Sequence, residues 1–285
     1  MILIRIENEY YTVLVNPLGA ELSGIRAKDD GYEYLWQGDP AVWSGRSPLL
    51  FPIVGRLKQD CYIYQEKTYH LEKHGFAMGE MFETAQQSDS SVSLRFSSPE
   101  KYAAVYPFRY DLTVTFALDG KSLIVSHRVT NRDTSPMYFS LGAHPGFHTH
   151  EGAYLEFPLP ETVMAQRFDD DKIIRPERTP FLNGERIFHL QKHTFDDDAY
   201  VLEGLRSPYV RVVDPAAGRS VRVSFGKAPF LGIWAKPGAP YVCIEPWCGL
   251  DDDTKHSGVL KEKKGSVTLN ESTSFDFSYV IEPMA

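Results

Sequence analysis

Cysteine is scarce in this chain: three among 285 residues, at Cys61, Cys243 and Cys248. The number is odd and the spacing fits neither CxxC nor a zinc pattern, so no disulfide framework is expected and the thiols are predicted to be reduced. Positive charge is also short. Thirty Lys and Arg face 38 Asp and Glu, for a net charge of −8. That balance provides no basic stripe for nucleic acid, though a small anion held by a few arginines stays compatible with it. No apolar run approaches the roughly 20 residues of a membrane span. The opening MILIRIENEYYTVLV is broken by Arg5, Glu7 and Glu9, unlike a secretory leader. A cytoplasmic protein without nucleic-acid or membrane partners is therefore expected. Also missing are a GxGxxG or P-loop turn, which argues against nucleotide cofactors, and any repeat of 20–50 residues, low-complexity tract or obvious linker.

What is present is alternation. Hydrophobic residues make up 42% of the chain, enough for a substantial core. In DLTVTFALDGKSLIVSHRVTN, Leu112, Val114, Phe116 and Leu118 alternate with other residues. Asp119-Gly120 turns the chain, and Leu123, Val125, His127 and Val129 alternate on the return, which predicts an antiparallel hairpin. SVSLRFSS, YVRVVDPAAGRSVRVSF and SVTLNESTSFDFSYVI read the same way. Helical periodicity is rare. PEKYAAVYPF, between Pro99 and Pro107, is the one short helix expected. Many strands and few helices predict an all-β fold, a large antiparallel β-sandwich, with residues 1–285 forming one domain.

Four stretches place polar groups among residues that fix the backbone. WSGRSPLLFPIVGRL carries Arg46 and Arg56 around Pro48 and Pro52; KHGFAMGEMFE carries His74; LGAHPGFHTH carries His144, His148 and His150; GIWAKPGAPYVCIEPWCGLDD carries Glu245. Tyr241–Ile244 reads as a buried strand ending at Glu245. A carboxylate there is either paired or raised in pKa by desolvation, and both states suit proton transfer. A salt bridge at a strand end is the structural alternative. His144 precedes Pro145, which biases it to an extended backbone that can aim the ring at a ligand; a hydrogen-bonded structural histidine is the competing reading, and the same holds for His74. His148 and His150, two apart, share a face if the segment is a strand, but no acid or cysteine at fitting local spacing completes a metal set. The acidic runs at 169–171, 196–198 and 251–253 are expected to be solvated loops rather than a glycosidase pair. Asp198, which abuts Ala199-Tyr200-Val201-Leu202, is the member of Asp196–Asp198 expected to point inward. Trp36, Trp43, Trp234 and Trp247 are expected mostly in the core, one or two of them offering a face to a sugar ring.

Taken together and in order, SPLLFPIVGRL, HGFA, LGAHPGF and CIEPW resemble the aldose 1-epimerase (galactose mutarotase-like) family, in particular its branch of bacterial aldose-epimerase-like proteins linked to sugar utilisation. The resemblance runs from GAELSGI at 19–25 to the last strands. It implies a galactose mutarotase-like supersandwich that interconverts the α and β anomers of a hexose without metal or cofactor; a monomer or homodimer is expected. It further implies Glu245 as general base and His144 as general acid. His74, Arg56 and Asp198 would then bind substrate, with Arg46 and Trp234 as further candidates.

Mutarotation moves a proton from the anomeric hydroxyl O1 and gives one to the ring oxygen O5. The C1–O5 bond breaks, the open aldehyde rotates about C1–C2, and the ring closes on its other face. The expected arrangement is a carboxylate and an imidazolium on opposite sides of the anomeric centre, giving a bell-shaped pH profile. One position departs from the family pattern. Met78 stands after HGFA, where the branch often has arginine, and this weakens the alternative of a hexose-6-phosphate epimerase. A carbohydrate-binding protein without turnover is the alternative from another functional class; it would need no acid–base pair.

Overall fold

The structure is a computed structural model and describes residues 2–285. The expected hairpins are present. Strands Tyr110–Asp119 and Ser122–Asn131 pair antiparallel, with Leu118 opposite Leu123 and Leu112 opposite Val129. From Leu112 to Asn131 their burial alternates closely, as one core-facing side requires, while Tyr110 and Asp111 are both buried. Ser274–Met284 continues the sheet on the other side of Ser122–Asn131, and Tyr209–Asp214 pairs with Arg219–Ser224 around Gly218. All ladders between these strands are antiparallel, and fifteen strands join in one large sheet. A three-stranded sheet, Ile4–Glu7, Tyr11–Asn16 and Glu21–Ala27, forms separately. A single apolar cluster holds side chains of both, from Ile6, Val13 and Ile25 to Phe277 and Ile281. This is the all-β, large antiparallel architecture expected.

One end of the large sheet positions the polar residues of interest. There Leu49–Leu50, Leu141–Ala143, Tyr241–Cys248, Phe230–Trp234 and Tyr200–Glu203 lie side by side in that order. Tyr241–Cys248 is buried along its whole length, which is why its first half, Tyr241–Ile244, reads as an apolar run rather than as an alternating one.

The expected helix at PEKYAAVYPF is only a 3-10 turn, Glu100–Tyr102. The chain uses this segment to insert aromatic rings. Tyr102 stacks on Phe76 at 3.7 Å between centroids, and Tyr106 and Phe108 are buried. Packing thus overrides the helical tendency of Glu-Lys-Tyr-Ala-Ala. The three cysteines are free thiols, as expected. Among the described residues, no helix is long and apolar enough to cross a membrane.

His127 lies inside the central hairpin, stacked on Phe277 and Tyr279. Burial pushes its pKa down to about 4. The folded protein therefore excludes a proton that the unfolded chain accepts near its ordinary value of about 6.5. Stability falls as pH drops through that window, by on the order of 3 kcal/mol at full swing for this one group. His127→Phe should flatten part of the fall in urea midpoint between about pH 7 and about pH 5. An unchanged pH slope would count against a neutral buried His127.

Candidate active site

The register of three strands brings the two leading residues together. Gly142 pairs opposite Trp247, and Gly146 pairs opposite Cys243 on the same strand. His144, midway between the two glycines, therefore lies opposite Glu245. Pro145 has no N–H to donate, but its carbonyl accepts the Ile244 N–H at 3.1 Å. The His144 Nε2 and Glu245 Oε2 atoms are 3.2 Å apart. Yet Oε2 has no hydrogen-bond partner, so the two groups lie side by side without bonding to each other.

They open into a cavity of about 340 Å³, a size suited to a small ligand. Trp43, His74, Asp198, Trp234, Trp247 and Asp251 also line it. Trp43 and Trp234 frame the His144 ring, with centroids 5.2 and 5.6 Å away. His74 is anchored by backbone contacts: its Nδ1 accepts the Gly55 N–H at 3.1 Å, and its own N–H donates to the Gly55 carbonyl at 2.8 Å. An accepting Nδ1 puts the proton of the neutral ring on Nε2, leaving that atom as a donor. The neighbouring turn needs glycine at position 55 twice over. Its φ is +70°, and a Cβ there would sit 2.0 Å from the Asp251 carboxyl carbon.

Electrostatically the cavity holds neutral histidines and crowded carboxyls. Burial pushes His144 down to about 3 and His74 well below its ordinary value. Burial likewise pushes Glu245 well up; the neighbouring Asp251 and Asp198 add to the rise, while Lys73 opposes it. Asp251 is also raised by burial. Asp198 goes the other way. Burial alone would raise it, but Lys172 at 2.9 Å and the Ala199 N–H hold it below its ordinary value. Glu245 and His144 thus favour their neutral forms, with the proton on the carboxyl, rather than the carboxylate–imidazolium pair expected from the sequence. The proton count is the same in both descriptions.

Of the residues singled out in the sequence, His74, His144, Asp198, Trp234 and Glu245 meet here. Asp198 is the inward acid of its run: Asp196 pairs with the exposed His193, and Asp197 with Arg167 and Arg175. Two arginines are not brought to the cavity. Arg56 forms a bidentate pair with Asp60 and lines an adjoining groove instead. The Arg46 guanidinium lies against the loop at Gly38, and its backbone bonds to Glu21 and Gly146.

Two further expectations need correction. Glu245 and His144 are cross-strand neighbours on one side of the cavity, not opposed across it. Asp251 and Asp252 are buried rather than solvated, because backbone N–H groups of Arg56 and Lys58 and the Lys263 ammonium satisfy them. His148 and His150, for which no metal set was expected, contact Trp36 and Asp214. Among the described residues, one ligand atom each of His144, Cys243 and Glu245 lies within 4.8 Å of the other two. Lys73, Lys172 and Asp251 line the cavity without having been singled out as site residues. Their sequence contexts carry no signal beyond the adjacency of Lys73 to His74. A larger surface cleft of about 810 Å³ runs past His150, His189 and Tyr241, and neither Glu245 nor His144 lines it.

Comparison with known proteins bears on this geometry. Residues 3–280 match the family described as Aldose 1-epimerase. The protein LacX of Lactococcus lactis subsp. lactis is 33% identical over 276 residues, covering 91% of this chain and 92% of that one. Among solved structures, a galactose mutarotase related enzyme from Lactobacillus acidophilus superposes with a TM-score of 0.95 at 31% identity, covering 100% of this chain and 98% of that one. A galactose mutarotase-like protein from Lactobacillus casei gives 0.93 at 28% identity, covering 99% and 100%.

Proposed function

The chain belongs to the aldose 1-epimerase family, and on that premise we propose that it interconverts the α and β anomers of a hexose, using Glu245 and His144 as its acid–base pair. One observation carries the reading. Glu245 Oε2, His144 Nδ1 and Trp247 Nε1 are all buried in or beside one cavity without a hydrogen-bond partner. Buried polar atoms are rarely left so, and these offer one donor and two acceptor-capable atoms to a polyhydroxylated ligand.

The reaction needs one protonated and one unprotonated group at two oxygens bonded to the same carbon. O1 and O5 both attach to C1, so neighbours 3.2 Å apart can serve both, and opposed placement is not required. The unprotonated member takes the O1 proton and the protonated member gives its proton to O5. The C1–O5 electron pair leaves with O5 as C1=O1 forms. After rotation about C1–C2 the steps reverse, and the pair regains its starting state. With Glu245 as base and His144 as acid, the proton crosses from carboxyl to imidazole when the sugar's hydroxyls solvate the resulting charges. His74 Nε2–H and the Asp198 carboxylate hold sugar hydroxyls, and Trp43 and Trp234 cover C–H faces of the ring. The test is polarimetry of freshly dissolved α-glucose and α-galactose. Faster decay of rotation with the protein, unaffected by chelator, supports the reading; unaccelerated decay across a panel of aldoses overturns it.

A second reading, a hexose-6-phosphate epimerase, is favoured by one feature. Lys73 and Lys172 line both the cavity and an adjoining groove of about 770 Å³ that also carries Arg56 and Met78. A sugar phosphate reaching from cavity to groove would meet these cations. A lower KM for glucose 6-phosphate than for glucose, lost in Lys73→Met, would decide for it.

The pH profile follows from burial. Between about pH 3, where His144 gains a second proton for the pair, and the raised value of Glu245, the pair holds one proton. Activity lasts while it does. We therefore expect kcat/KM to stay high at about pH 5, below the ordinary histidine value. A loss of activity centred near about pH 6.5 on acidification would show that His144 titrates as an exposed imidazole.

A further inference from the structure

Cys243 plays no part in the chemistry above, yet it lies on the same face of its strand as Glu245, two residues away. Its cross-strand partner is Gly146. A side chain there would begin 3.3 Å from the Cys243 sulfur and 3.0 Å from Trp43. Glycine thus leaves the sulfur room beside His144, and one ligand atom each of His144, Cys243 and Glu245 falls within 4.8 Å of the other two.

We infer that these three side chains form a zinc site overlapping the acid–base pair, so that Zn²⁺ is an inhibitor of this protein. The donor set, one imidazole nitrogen, one thiolate and one carboxylate oxygen, is the mixed N/S/O kind that tetrahedral zinc takes. The distances fit. Two ligands at about 2.0 Å from a tetrahedral zinc stand a little over 3 Å apart, and His144 Nε2 and Glu245 Oε2 are 3.2 Å apart. The absence of a hydrogen bond between them, with Oε2 unpartnered, leaves the lone pairs free to converge on a third atom. The cavity supplies the fourth position to water or a sugar hydroxyl. On binding, the thiol and the protonated carboxyl release their protons to solvent, because a coordinated thiol is deprotonated outright. The ion then occupies the two groups that would otherwise shuttle the sugar's protons. Among the described residues no other His–acid pair, His150 with Asp214, His193 with Asp196 or His256 with Asp252, belongs to such a three-ligand group, and the first two stand at exposed histidines.

The metal inference stands apart from the epimerase reading; only the inhibition rests on it. The experiment titrates the intact protein with Zn²⁺ against a chromophoric chelator, and with Co²⁺ as a spectroscopic stand-in. We expect one metal per chain and a sulfur-to-cobalt charge-transfer band. Cys243→Ser should abolish the band and weaken zinc at least about tenfold, and Glu245→Gln should weaken zinc comparably. His193→Asn should leave zinc binding unchanged. In polarimetry, Zn²⁺ should suppress the rate, excess chelator should restore it, and Cys243→Ser should require at least about tenfold more zinc for the same suppression. A missing charge-transfer band, or wild-type zinc affinity in Cys243→Ser or in Glu245→Gln, overturns the site. A normal cobalt band in a protein that accelerates no aldose keeps the site and removes the epimerase reading instead.

Discussion

Glu245→Gln is expected to lower kcat/KM for mutarotation by about 10²–10⁴-fold, the range one positioned acid–base group supplies. The carboxamide has nearly the same shape, and Glu245 is 1% exposed, so packing along its strand is retained. What disappears is the ability to hold or release a proton. A buried carboxyl already biased toward its neutral form is the sterically nearest case to an amide, so the folded protein should tolerate the change. His144→Gln is expected to fall in the same range while keeping the ring's volume approximately filled between Trp43 and Trp234. Because the two residues handle the same proton, their losses should not multiply. The double variant should be about as slow as the slower single one, as for residues that act as one unit. Either single variant retaining wild-type rate with normal thermal unfolding would remove that residue from the chemistry.

The sheet was legible because burial on one face imposes a period of two, and residues 110–131 and 209–225 follow it closely. The pairing of His144 with Glu245 was not. Local patterns expose each residue's setting, a proline after one and a buried strand before the other, but the register that sets them opposite depends on ladders a hundred residues apart. Assigning both the candidate acid–base roles rested on the family resemblance more than on periodicity. The arginines misled for a different reason. Arg46 and Arg56 flank a proline-rich run in the sequence, yet charge says nothing about which acid captures a guanidinium, and Asp60, four residues on, takes Arg56. The acidic run at 251–253 misled because acids in a row are ordinarily solvated. Here Lys263 arrives from eleven residues away to neutralise one of them in the interior.

That lysine carries the second large effect. Lys263 and Asp252 are 2.6 Å apart with side chains only 2% and 1% exposed. Removing one charge strands the other in a place where water cannot reach it, so Lys263→Met should cost about 3–5 kcal/mol of folding stability. The damage should reach the cavity by a traceable route. Asp252 also accepts the Lys58 N–H at 2.9 Å, and its own N–H donates to the Arg56 carbonyl at 2.9 Å. Arg56 in turn donates its N–H to Asp251 at 2.6 Å, beside the Gly55 turn that holds His74. Loosening this clamp lets His74 drift, so KM should rise more than kcat falls if, as proposed, His74 binds hydroxyls rather than moves protons. Asp252→Asn in the Lys263→Met background should recover part of the stability, because a neutral amide still accepts the Lys58 N–H without an unpaired charge. Urea unfolding of the single and double variants measures this directly. A loss below about 1 kcal/mol for Lys263→Met would mean that water reaches the pair and that the clamp on His74 is held by the backbone alone.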